Sequence, residues 1–143
     1  TETSVGLHML SSAAECAKSQ EIFEFFWHKI TIYIENDEKL RKLLLVKEIF
    51  KSNALIHSAY GSNENSFNFL LEKIYCKYFE LKDFIYETNS HGCNFYQCLA
   101  QYSSLSMIKF ATNLLKKRLS SEEFRDFIMI KDPKVKIFSN LLF

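Results

Sequence analysis

The segment Glu38-Lys39-Leu40-Arg41-Lys42-Leu43-Leu44 returns, altered, as Phe79-Glu80-Leu81-Lys82-Asp83-Phe84-Ile85 and again as Glu122-Glu123-Phe124-Arg125-Asp126-Phe127-Ile128. Leu40 to Leu81 is 41 residues and Leu81 to Phe124 is 43, and at both steps apolar meets apolar and a cation meets a cation. A period in this range marks a stacked array of helical units, none of which buries its apolar face alone. Such arrays offer an extended surface to other macromolecules, so the period bears on function as well as on fold.

Working outward, each unit reads as a loop, a short helix, a longer helix and then the recurring segment. In the second unit Ala54 to Tyr60 is a short apolar helix, Gly61-Ser62-Asn63-Glu64-Asn65 turns the chain, and Ser66 to Phe79 carries Phe67, Leu70, Leu71, Ile74, Tyr75 and Tyr78 at helical spacing. Leu81 to Tyr86 is expected to add a further helical turn or two. The third unit repeats the order, with a short helix from Phe95 to Tyr102, Ser104 as N-cap, and a helix whose apolar stripe is Leu105, Ile108, Ala111, Thr112, Leu115 and Leu119. Ser120 and Glu123 have the spacing of a capping box, and Asp132-Pro133 stops the helix that begins there. The units fall at about 1–50, 51–91 and 92–133, with a partial unit at 134–143; the extra length of the first lies at Ser11 to Gln20 and Thr31 to Asp37. Ends that fall inside units read as a piece of a longer array or as truncated caps.

With 143 residues, 48% of them hydrophobic, the chain suffices for one folded domain. Three glycines and one proline disfavour a turn-rich β fold and suit helices joined by short polar loops. A net charge of +1 gives no whole-chain pull towards nucleic acid. Lys116-Lys117-Arg118, the one basic cluster, reads as the last turn of a helix, where the dipole favours cations; with Lys109 it makes a weaker nucleic-acid reading. No apolar run reaches the ~20 residues that cross a bilayer, so direct membrane insertion is not expected. Ile22 to Ile34 comes nearest and is broken by Glu24, His28 and Lys29.

Cys16, Cys76, Cys93 and Cys98 form no CxxC pair. They read as reduced, buried thiols in a cytoplasmic or nuclear setting. Cys76, His91, Cys93 and Cys98 invite a zinc reading, yet their spacing is not that of a structural site and the core does not need one, so no metal or other cofactor is expected. Cys98 with a histidine is the only nucleophile and base that can be written, and nothing in the sequence brings the two together. No Gly-x-Ser-x-Gly, phosphate loop or His-Glu-x-x-His occurs, and Asp37-Glu38 and Glu122-Glu123 read as helix-start carboxylates, so no catalytic residue is assigned. Of Phe23, Phe25, Phe26 and Trp27, which wrap around one helix, some must face away from a single core stripe.

At Gly6-Leu7-His8-Met9-Leu10, Leu55-Ile56-His57-Ser58-Ala59 and Asn94-Phe95-Tyr96-Gln97-Cys98-Leu99-Ala100 the chain resembles the ankyrin repeat, in a degenerate form with long units of about 40 to 45 residues like those of arthropod proteins and arthropod-associated bacteria. The resemblance makes His8 and His57 the repeat's histidine, with Gln97 in its place in the third unit, Leu70-Leu71 and Leu114-Leu115 its leucine pairs, and Gly92 its loop glycine. The Thr-Pro of the family is absent from every unit. A HEAT-like or other paired-helix solenoid, and a helical domain without repeats, are the competing folds.

The fold expected is therefore all-α, an α-solenoid of stacked helix-turn-helix repeats. The expected function is a non-catalytic protein–protein interaction module that holds a partner of unknown identity on its concave face. The resemblance places Tyr60, His91, Gln101 and Tyr102 on that face, with Ser58 and Lys134 as further candidates. The alternative is a targeting or scaffold segment of a larger effector, enzyme or channel whose chemistry lies outside this chain.

Overall fold

Short polar side chains decide where the helices of this chain begin. In the computed structural model, which describes residues 2–46 and 52–130, Ser19, Asn36, Asn53, Asn94, Ser104 and Ser120 each place a side-chain oxygen on the backbone N–H three residues ahead. Each such cap satisfies a donor that the helix cannot pair internally and stabilises its helix by about 1 kcal/mol. The helices are α1 (Glu2–Cys16), α2 (Gln20–Ile34), α3 (Asp37–Leu45) and α4 (Ala54–Tyr60), then α5, α6 (Phe95–Tyr102), α7 (Leu105–Arg118) and α8 (Ser121–Ile128), the six caps opening all but α1 and α5. Helix α5 begins as the α-helix Glu64–Phe69, widens into a π-helical stretch, Leu70–Tyr75, and closes with the turn Cys76–Tyr78. Among the described residues all regular structure is helical and there is no strand.

The helices pack in two consecutive rows. Helix α1 packs on α4 and α4 on α6, while α2 packs on α5 and α5 on α7. Across the rows α1 lies against α2, α4 against α5 and α6 against α7. Ser19, Asn63 and Ser104, the residues before α2, α5 and α7, are 44 and 41 residues apart, and Asn53 and Asn94, before α4 and α6, are 41 apart. The short helices Ala54–Tyr60 and Phe95–Tyr102, the Ser104 cap and the Ser120–Glu123 capping box stand where the sequence places them.

Polar side chains tie the first helix pair to the second. Asn63 precedes α5 without capping it; its Nδ2 instead donates to the Ala17 carbonyl at the end of α1, at 3.0 Å, while Ser66 Oγ donates to the Ala14 carbonyl. Tyr75 is wholly buried, and its hydroxyl donates to the Leu44 carbonyl at 2.6 Å. Burial pushes this phenol well above the usual tyrosine range, so it remains a donor at any ordinary pH. In the π-helical stretch residues five apart overlie one another, which aligns Leu70 with Tyr75 on the core face.

The recurring segment adds apolar side chains to the core in each unit. Leu40, Leu43 and Leu44 are buried, as are Leu81, Phe84 and Ile85; of the third set Phe127 is buried, with Phe124 and Ile128 packed against the core. The local structure differs between copies. The first and third are α3 and α8, whereas the second is only a 3-10 turn, Leu81–Asp83. Asn36 and Ser120 stand four residues before Leu40 and Phe124 and cap those helices; the matching position before Leu81 is Lys77, which has no acceptor to cap with. There α5 runs on to Tyr78, and the chain turns through extended Phe79 and Glu80.

Several expectations are corrected. Ser11 to Cys16 belongs to α1, so the extra length of the first unit is helix and not turn as far as Cys16. Gln97 is not the counterpart of His57: counted from the caps, Gln97 matches Ile56 and Cys98 matches His57, and Gln97 Oε1 closes a capping box on the Asn94 N–H at 2.8 Å. Likewise His8 lies two turns before the end of α1, while His57 lies one turn before the end of α4. Leu105 is exposed, because the buried stripe of α7 runs through Met107, Ala111, Leu114 and Leu115. Cys93 and Cys98 are buried, but Cys76 is half-buried and Cys16 exposed. Asp132-Pro133, Lys134 and the partial unit at 134–143 lie outside the described residues.

Candidate functional site

The edge of the molecule where α4 turns into α5 and α6 into α7 gathers exposed aromatic and apolar side chains. Tyr60 ends α4 and Tyr102 ends α6, and since these helices pack side by side their rings meet, with centroids 4.6 Å apart and planes at 48°. Both stay about half exposed, at 51% and 48%. Beside them Leu105 is exposed, and Ser106 Oγ donates to Glu64 Oε1 at 2.5 Å, linking the first turns of α7 and α5. The turn that presents Tyr60 is tightly constrained: a Cβ on Gly61 would lie 2.9 Å from Glu15 Cγ and 3.0 Å from the Glu15 carbonyl oxygen, and Ser62 has φ 53.

Gln101, next to Tyr102, is exposed, and its carboxamide lies 3.9 Å from the Cys93 sulfur. Through that contact it reaches towards the loop of His91. The loop is wound around Asn89, whose Oδ1 accepts from the N–H groups of His91 at 2.9 Å and Cys93 at 3.0 Å, with Gly92 at φ 78 where a side chain would be strained. His91 is thereby held at an exposed tip. Ser58 does not belong to this surface: it is fully buried and its hydroxyl donates to the Leu55 carbonyl at 2.7 Å. Lys134 lies outside the described residues. The sequence reading missed Leu105, Glu64 and Ser106; the signal for Leu105 was the Met107, Ala111, Leu114 spacing, which turns the first residue of α7 outward.

The other chemical candidates have local explanations. Burial pushes the Cys98 thiol up to about 12, with nearby Cys93 acting in the same direction, so Cys98 is neutral at physiological pH and not an activated nucleophile. Burial likewise raises the Cys76 thiol, partly opposed by Arg118. Among the described residues no group of three or more His, Cys, Asp or Glu side chains comes together to hold a metal. Lys116 lies over the Phe124 ring at 5.7 Å, and Lys116, Lys117 and Arg118 form the last turn of α7. An open cleft of about 400 Å³ between Cys76, Phe79, Lys82, Arg118 and Glu123 mixes both charge signs. No helix among the described residues is long and apolar enough to cross a membrane.

Protein-family models, curated proteins and solved structures were all compared with the chain, and none matches it. Its class thus rests on the helices and their packing: an all-helical protein with a surface of paired tyrosines.

Proposed function

We propose that this chain is a non-catalytic protein-binding module, an ankyrin-like α-solenoid that holds its partner across the short helices α4 and α6. The observation that carries the reading is the exposed Tyr60–Tyr102 pair on two consecutive short helices. Tyrosine is favoured at binding hot spots because it covers a large area at little conformational cost and keeps a polar tip for a hydrogen bond. Gln101, Leu105, Glu64 and His91 are exposed on α6, on the first residues of α7 and α5, and on the adjoining loop, and add an apolar side chain and polar groups, the mixture expected of an interface. The stacking order supports the solenoid reading, with the short α4 and α6 side by side in one row and the longer α2, α5 and α7 in the other.

The test is affinity capture with the chain as bait, beside a variant in which Tyr60, His91, Gln101 and Tyr102 are all alanine. A partner held by the parent and released by a variant of unchanged helicity is the expected result, with Tyr60→Ala and Tyr102→Ala singly weakening binding about tenfold or more. Retention of every partner by the folded quadruple variant would overturn the assignment of this face.

A further inference from the structure

Positive charge is distributed unevenly along this chain. From Ser52 to Glu72 and again from Asp83 to Ile108 there is no lysine or arginine, while both stretches hold carboxylates, Glu64 and Glu72 in the first and Asp83 and Glu87 in the second. These stretches contain α4, the first part of α5, the His91 loop, α6 and the start of α7, and so the whole surface around Tyr60 and Tyr102. Burial accounts for the lack of cations inside the helices, but not at the exposed positions, where Tyr60, Ser62, Asn65, Gln101, Tyr102 and Ser104 are neutral. The cations of these two units stand elsewhere: Lys73 and Lys77 further along α5, Lys82 on the turn after it, and Lys109, Lys116, Lys117 and Arg118 on α7.

The rings themselves point the same way. Elsewhere in the chain Phe25 lies under Lys29 at 5.2 Å, Tyr78 under Arg41 at 5.9 Å and Lys77 at 5.3 Å, and Phe124 under Lys116 at 5.7 Å. Among the described residues no cation of the chain covers Tyr60 or Tyr102, whose tilted rings are half exposed. What flanks them is negative. Glu15, near the end of α1, packs its Cγ where a side chain on Gly61 would be, one residue after Tyr60, and its carboxylate lies 3.9 Å from His57 with 41% of the side chain exposed. Glu64 follows Tyr60 by four residues and Ser106 follows Tyr102 by four, so the Ser106–Glu64 hydrogen bond joins the same two turns as the ring contact. That bond engages one oxygen of an exposed carboxylate, with which no cation pairs among the described residues.

We infer, on the binding reading above, that the partner segment taken by this face is basic: an extended peptide that lays an arginine or lysine over the Tyr60–Tyr102 rings and sets a second cation beside Glu64. A cation over a tyrosine face is held by the ring quadrupole, most strongly where it is partly desolvated, and the planar guanidinium of arginine stacks there more readily than an ammonium. The four residues from Tyr60 to Glu64 span at most about 14 Å. In an extended peptide the side chains of one face recur every ~7 Å, so cations two or four residues apart reach both the rings and the carboxylate. An acidic segment would meet Glu15 and Glu64 with like charge and find no lysine or arginine to answer it in the stretches that carry the tyrosines; a neutral one would gain nothing from the two carboxylates.

The test is fluorescence anisotropy, with the whole chain titrated into a short dye-labelled peptide of alternating arginine and glycine, beside the same peptide carrying citrulline, the neutral isostere, in place of arginine. The arginine peptide is expected to bind at least about tenfold more tightly, with an advantage that shrinks as salt is raised. Glu64→Gln keeps an oxygen for Ser106 and removes only the charge. This variant, and the double variant Tyr60→Ala with Tyr102→Ala, should each weaken the arginine peptide several-fold, while Glu122→Gln on α8 should not. Equal binding of the two peptides, binding of neither, or an arginine preference that survives both Glu64→Gln and the loss of the tyrosines at unchanged helicity would overturn the inference. The same variants separate it from the reading it rests on: a captured partner that the tyrosine variant releases and Glu64→Gln holds unchanged would leave the face in place and remove the basic segment.

Discussion

Asn63 stands where a helix N-cap is expected, and it spends its amide on the carbonyl of Ala17 instead. Tyr75 likewise reads from the sequence as one more apolar position, yet its hydroxyl joins α5 to the end of α3. Long-range bonds of this kind are invisible to spacing rules, which sense only neighbours along the chain. Burial itself was more legible: the Leu70-Leu71 and Leu114-Leu115 pairs all lie in the core. Leu71 and Leu115 are fully buried, so Leu71→Ala or Leu115→Ala should each cost about 2 to 5 kcal/mol, as the lost transfer energy is compounded by a cavity. Urea unfolding of each variant checks this, and stability equal to the parent would mean that these helices present other faces to the core. Misassignment of Gln97 had a local cause: a glutamine three residues into a helix serves as a capping-box partner, and the resemblance to a histidine position outweighed that simpler role.

At the scale of elements, caps were readable because they are local chemistry. Ser120 and Glu123 form the capping box in which Ser120 N–H donates to Glu123 Oε1 at 2.9 Å and Glu123 N–H donates to Ser120 Oγ at 3.0 Å. These bonds hold the Glu123 carboxyl below the usual glutamate range, the Ser120 backbone bond being the main cause. A lowered carboxyl stabilises the folded form fully above the ordinary glutamate value, near ~4.3, and loses that contribution as pH falls through the lowered one. NMR titration of Glu123 should give a midpoint below that value, and Ser120→Pro, which removes the donating N–H at a φ of −65 that proline adopts, should move it upward; a midpoint unmoved by the substitution would remove the bond as its cause. What the pattern did not reveal was the loss of the matching helix in the second unit. Leu81, Phe84 and Ile85 keep the apolar spacing of α3 and α8, but Lys77 occupies the capping position, and hydrophobic periodicity alone does not record a missing cap.

For the whole molecule, the recurrence of one short segment was enough to anticipate an all-helical chain, because three apolar triads at near-constant spacing require three equivalent burial sites. The surface was less legible. Tyr60 and Tyr102 were selected as neighbours of a face, and their meeting at 4.6 Å depends on how α4 and α6 lie together, which only three-dimensional packing determines. Ser58, two residues before Tyr60, points into the core, since a single step along a helix turns a side chain through about 100°. The central claim is that a protein partner binds across the ends of α4 and α6. Site-specific photo-cross-linking tests it most directly, with the photoreactive group placed in turn at positions 60, 102 and 113, the last being exposed on α7. The same partner cross-linked from 60 and 102 but not from 113 is the predicted result; a partner captured from 113 and from neither tyrosine position would contradict it.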